Sequence, residues 1–74
     1  MNTYKLDITK EHFPMTFVKT KLQLSKMQNK EILEVILTEG EPLRNVPRSA
    51  EEQGYKVLEI SHIENNIHKV VIEK

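Results

Sequence analysis

EILEVILTE, residues 31–39, is the stretch on which the fold turns. In an extended chain Leu33, Val35 and Leu37 fall on one side and Ile32 and Ile36 on the other. A strand with apolar residues on both faces belongs inside a sheet, between neighbours. Those neighbours have to come from the segments on either side of it.

Upstream, Tyr4, Leu6 and Ile8 alternate with Lys5, Asp7 and Thr9, the pattern of a strand with one buried face. Pro14 then fits the first helical position, where its missing N–H costs nothing, and the spacing predicts a helix running to about Met27. Phe17, Thr20, Leu24 and Met27 form one stripe at helical spacing. Met15, Val18 and Leu22 form a second stripe on a different side, left partly exposed once the first packs on the sheet.

Downstream, Gly40 ends the central strand, and Leu43, Val46 and Ala50 set up a second helix that closes at Gly54 as a left-handed cap. Pro47 is read as the first turn of the regular helix, with residues 43–46 a looser lead-in. YKVLEISHI and IHKVVIEK are strands on either side of Glu64-Asn65-Asn66, a hairpin turn in which Asn accepts positive φ. The order β-α-β-α-β-β predicts a two-layer α/β (α+β) sandwich, a four-stranded mixed sheet with two helices on one face.

At 74 residues the chain has room for one domain, residues 1–74, with one modest core and no separate cofactor domain. It contains no cysteine, which excludes a disulfide, a thiolate and any Cys-based zinc site. The N-terminus has no long apolar core of the signal-peptide type, and no apolar run approaches the ~20 residues a membrane helix needs. A cytoplasmic location without membrane contact is expected. Net charge is zero, yet residues 1–30 carry six Lys against Asp7 and Glu11, whereas residues 31–74 carry five Lys/Arg against nine Glu. That asymmetry can steer a partner.

Motifs of active-site chemistry are absent. There is no Ser-His-Asp order, nucleophile elbow or Gly-rich phosphate loop. Glu51 and Glu52 are adjacent in a helix and diverge by about 100°, so they form a solvated face and no catalytic pair. His12, His62 and His68 are the only imidazoles. A hairpin loop of two or four residues sends His62 and His68 to opposite faces, so no metal site and no cofactor are expected. His12 lacks a nucleophile or an orienting partner and is read as an exposed loop residue. Lys10, Lys19, Lys21, Lys26 and Lys30 form a basic set that can meet phosphates, and RNA binding is the alternative it supports. Interleaved aromatics for base stacking are limited to Phe13 and Phe17.

HFPMTFVKTKLQL following a short strand, and EPLRNVPRSAEEQGYKVLEI after it, resemble the TusA/SirA-like sulfur-carrier family over about residues 5–72. The family's hallmark is Cys-Pro-x-Pro at the start of the first helix. NVPRSAEEQGYKVL is similar to its Asp-Ile-Pro stretch and its Gly-His-x-Val-Leu entry to the third strand. Thr16 replaces the second proline, as in one branch of the family. The resemblance implies the same β-α-β-α-β-β fold and partners of a sulfur relay, a desulfurase or a sulfur acceptor.

Phe13 stands at the position of the family's cysteine, which carries sulfane sulfur as a persulfide. Helix N-terminal amides lower a thiol's pKa there, and a phenyl ring gains nothing from that field. No catalytic residue is therefore expected. The expected partner-binding surface is Phe13, Pro14, Met15, Val18, Lys19 and Leu22, an apolar patch with a basic rim that suits a relay protein or a second copy of the chain. A third reading has the helix opening hold a small anion.

Overall fold

A computed structural model describes residues 2–74, so Met1 of the expected domain lies outside the described residues. The elements are β1 (Thr3–Asp7), α1 (Met15–Lys26), β2 (Ile32–Thr38), α2 (Glu41–Glu52), β3 (Lys56–Glu64) and β4 (Ile67–Glu73). They form one four-stranded sheet in the order β1-β2-β4-β3, with β1 parallel to β2 and the other pairs antiparallel. The two-layer α+β architecture is the one the apolar pattern predicts.

β2 is an interior strand, as its two apolar faces require. Leu33, Val35 and Leu37 are fully buried against the helices, while Ile32 and Ile36 are half-buried on the open face. Ile8, Val70 and Ile72 extend the buried layer, which Leu24 and Met27 cover from the α1 side and Val46 and Ala50 from α2. Fully burying a side chain of this size stabilises a fold by roughly 1.5–3 kcal/mol. With no disulfide available, this layer is the main source of stability.

α2 closes as its sequence predicts. Gly54 takes φ 93°, its N–H donates to the Glu51 carbonyl, and the Tyr55 N–H donates to the Ala50 carbonyl. These are the paired bonds of a Schellman motif, which needs a left-handed residue after the helix. The other end of α2 corrects the reading of Pro47. The helix begins at Glu41, Pro42 lies in its first turn, and Pro47 sits inside a continuous helix instead of starting one. Pro47 lies on the buried side beside Val46 and Ala50. Burial of its ring there offsets the hydrogen bond that an N–H at this position would have donated to Leu43.

The β3–β4 hairpin overturns a second expectation. Asn65 takes the positive φ of the turn, at 48°, and the loop has two residues between the paired Glu64 and Ile67. Even so, His62 and His68 lie directly opposite each other on one face, with ring centroids 4.9 Å apart. The reason is a register shift between His62 and Glu64, where one extra residue on β3 reverses the alternation. His62 Nε2 donates to the Asn65 carbonyl at 2.6 Å, and His68 Nε2 donates to a Glu39 carboxylate oxygen at 3.1 Å.

Candidate functional site

The opening of α1 is built from the loop after β1. Asp7 Oδ1 accepts from the Thr9 N–H at 2.9 Å and from Thr9 Oγ1 at 2.6 Å, and these bonds hold its carboxyl below the usual carboxylate range. The Ile8 N–H donates to Ile36 in the sheet, which anchors the loop where it leaves β1. At its far end the Phe13-Pro14 peptide is cis, and the His12 carbonyl accepts from the N–H groups of Met15 at 2.7 Å and Thr16 at 3.4 Å. Pro14 is the N-cap, one residue before the first helical position expected for it, and its carbonyl accepts from the Val18 N–H at 2.9 Å. His12 thus caps the helix through its backbone, and its side chain is exposed.

Beneath this turn lies a contact that the apolar spacing did not reveal. Thr16 is fully buried, and its Oγ1 donates to Oε1 of Glu41, the first residue of α2, at 3.0 Å. The other Glu41 oxygen accepts from Asn45 Nδ2 at 3.3 Å. The N-terminal turns of both helices therefore meet at one carboxylate, which is favoured by the positive ends of the helix dipoles. The stripe read from spacing began at Phe17, so only the resemblance to a proline position marked Thr16.

Above the turn the surface is apolar. Phe13 is 67% exposed, Pro14 is also exposed, and Met15, Val18 and Leu22 lie on the outer side of α1 at 41%, 41% and 53%. Met15 and Leu22 are about 10 Å apart along the helix axis, so the patch runs for two turns. A shallow groove lined by Phe17, Val18, Lys21, Leu22 and Ser25 continues it. Phe17 is only half-buried and carries the Lys21 ammonium 5.7 Å from its ring centroid, so its stripe is less completely internal than its spacing implies. Lys19 is engaged: its Nζ lies 2.7 Å from Glu11 Oε2 and ties the helix to the preceding loop.

The remaining basic residues are spread along α1 and beyond both its ends. Lys10 precedes α1 and Lys30 follows it, and Lys30 joins Lys56 and Lys74 around a depression near Gly54 at the opposite end of the molecule. Lys74 Nζ donates there to the Met27 carbonyl at 2.7 Å, where the negative ends of both helices lie. Among the described residues no three His, Cys, Asp or Glu side chains converge as a metal site would need. No helix among them is long and apolar enough to cross a membrane.

Comparison with known proteins identifies the chain's relatives. The family model described as sulfurtransferase TusA matches residues 4–74. A putative sulfur carrier protein of Archaeoglobus fulgidus is 41% identical over 69 residues, covering 93% of this chain and 78% of that protein. One from Methanocaldococcus jannaschii is 36% identical over 70 residues, covering 95% and 92%. Among solved structures, a SirA-like protein of Desulfitobacterium hafniense superposes with a TM-score of 0.84 over 95% of each chain at 20% identity, a likeness of fold. The chain belongs to the sulfurtransferase TusA family.

Proposed function

We propose that this member of the TusA family is a single-domain docking module of a cytoplasmic sulfur relay that carries no sulfur itself. It binds a desulfurase or a sulfur acceptor through Phe13, Pro14, Met15, Val18 and Leu22, with Lys19 and Lys21 at the rim. The observation that carries this reading is the exposed Phe13 at the helix opening, in a chain without cysteine. On the resemblance of the HFPMTF stretch to the family's helix opening, Phe13 takes the place of the sulfur-bearing residue. A persulfide forms when a thiolate attacks the outer sulfur of a donor persulfide, making one S–S bond and expelling the donor thiolate. A phenyl ring has no atom that can take that part.

Two observations weigh against an anion at the same place. The Met15 and Thr16 N–H groups are already directed at the His12 carbonyl, and the Glu41 carboxylate lies under the helix start. Exposure of Phe13 also separates docking from a packing role. A buried phenylalanine costs ~3–5 kcal/mol when truncated, whereas an exposed interface anchor costs affinity and leaves stability intact.

The test is a matched pair, the parent chain and Phe13→Cys, each incubated with a cysteine desulfurase and isotopically labelled cysteine and then weighed for one added sulfur. Uptake by the variant alone supports a relay scaffold whose carrier residue is missing. Uptake by neither means that the docking surface does not meet a desulfurase, and binding to sulfur acceptors is then measured with Phe13→Ala. A loss of more than ~1 kcal/mol in affinity is expected of an anchor. RNA binding, the competing reading, predicts instead retention of RNA with affinity that falls steeply as salt is added.

A further inference from the structure

A second exposed apolar surface lies away from α1. β3 is an edge strand of the sheet, so the N–H and C=O groups along its outer side have no strand to pair with. It is nine residues long and carries Leu58, Ile60 and Ile63, exposed at 52%, 52% and 48%. The opposite edge, β1, has five residues and presents Thr3, Lys5 and Asp7 as its exposed positions. Short length and charge blunt an edge; β3 is the longer strand, and Glu59 is the one charge among its central residues 57–63.

β3 also carries opposite charges placed evenly about Ile60. Pairing with β4 places Lys56, Glu59, Ser61 and Glu64 on the open face of the sheet, at four and one residues before Ile60 and one and four after it. The two register shifts fall between Val57 and Glu59 and between His62 and Glu64, and so flank Ile60 on both sides. A two-fold axis through Ile60 would bring the two irregularities to within one residue of each other. Lys56 of one copy would lie opposite Glu64 of the next, twice per pair. Val57 would meet Ile63, Leu58 would meet His62, and Ile60 would meet itself. Opposite charges and apolar residues directly across antiparallel strands stabilise pairing, and like charges oppose it.

We propose that β3 is the contact to a second copy of this chain, joined antiparallel across a dyad at Ile60 so that two sheets become one of eight strands. Isologous pairing of this kind needs a self-complementary strand, and in β3 the oppositely charged Lys56 and Glu64 lie four residues either side of Ile60 on the same face, with Val57 and Ile63 three residues either side. This contact is distinct from the α1 surface and does not depend on it. Its footprint is one strand, so association is expected at the weak end of specific interfaces.

Sedimentation velocity of the full chain from ~10 μM to ~1 mM covers the range in which small interfaces associate. The expected result is a mass that climbs from monomer toward dimer. Lys56→Glu should weaken association at least ~5-fold by placing like charges opposite each other. The double change Lys56→Glu with Glu64→Lys should restore it. Within one chain Lys56 also neighbours Glu73 on β4, a clash the double change leaves in place, so recovery reports the contact between copies. Ile60→Lys, at an exposed position, should give a folded monomer, with folding checked by its amide spectrum. A chain that stays monomeric throughout overturns the proposal. So does a dimer that ignores these changes and dissociates with Leu22→Glu on α1.

Discussion

α1 and α2 lie side by side on the same sheet, have 12 residues each, and are built in opposite senses. α2 buries Pro42, Val46, Pro47 and Ala50 and exposes Arg44, Arg48, Glu51 and Glu52, the usual division between core and water. α1 buries Thr16, Thr20 and Leu24 and exposes Met15, Val18 and Leu22. Two of its three buried positions are hydroxyls, each with a partner: Thr20 Oγ1 donates to the Thr16 carbonyl at 2.8 Å and Thr16 Oγ1 to Glu41. Solvent alone selects against an apolar outer face of this kind, which favours the docking reading proposed for α1.

Substitutions separate the two faces of the helices, and the largest effect should come from the inner side of α1. Leu24→Ala is expected to cost ~2–5 kcal/mol in denaturant unfolding, the range for truncating a buried leucine. Leu22→Ala, two residues earlier and on the outer side, should stay within ~0.5 kcal/mol. Equal costs at the two sites would mean that the outer stripe is part of the core.

Thr16→Val tests the link between the helices. It keeps the shape and removes the donor to Glu41, so about 1 kcal/mol of stability should be lost. A double variant with Glu41→Gln should then lose less than the two single changes added together, since the residues share one bond. Full additivity would show that the contact carries no energy.

Gly54→Ala examines how α2 stops. An added methyl group meets no atom, but the φ of 93° disfavours any side chain, so a loss of ~1 kcal/mol is expected. α1 ends without a left-handed residue, at Met27 with φ −88°, and Met27→Ala should act instead through lost burial.

The smallest effect concerns the loop that feeds α1. Asp7 has its pKa lowered chiefly by the Thr9 hydroxyl, so the bond stabilises the fold above the ordinary carboxylate pKa and is lost as pH falls through the lowered value. Thr9→Val should therefore melt slightly lower than the parent at neutral pH. The gap should close below about pH 4, where the unfolded carboxyl gains its proton. A gap independent of pH would assign the effect to packing.

Much of the fold was legible in the residues because its cues are local. The doubled apolar faces of β2, the Gly54 closure, and Asn65 in the hairpin turn each depend on one residue's own conformational preference or on simple alternation. The outward stripe of Met15, Val18 and Leu22 was legible for the same reason. What escaped were features set by partners far along the chain. Glu31 is buried because its carboxylate accepts from Asn2 Nδ2, 29 positions away, besides the neighbouring Gln28 N–H, and a periodic pattern cannot bring Asn2 there. Thr16 is buried because a glutamate 25 positions later accepts its hydrogen bond.

Local preference, then, determined the order of the elements and most of their boundaries, the start of α2 excepted, and composition determined the absence of any thiol. Tertiary structure decided that Pro47 could remain inside a helix, because a buried ring offsets a missing bond. It also decided that His62 faces His68, because an unpaired residue on β3 resets the alternation, and that Leu58, Ile60 and Ile63 stay in the open. The physical reason is common to all three. Alternation and propensity act over a few bonds, whereas burial and strand register are properties of the assembled layers.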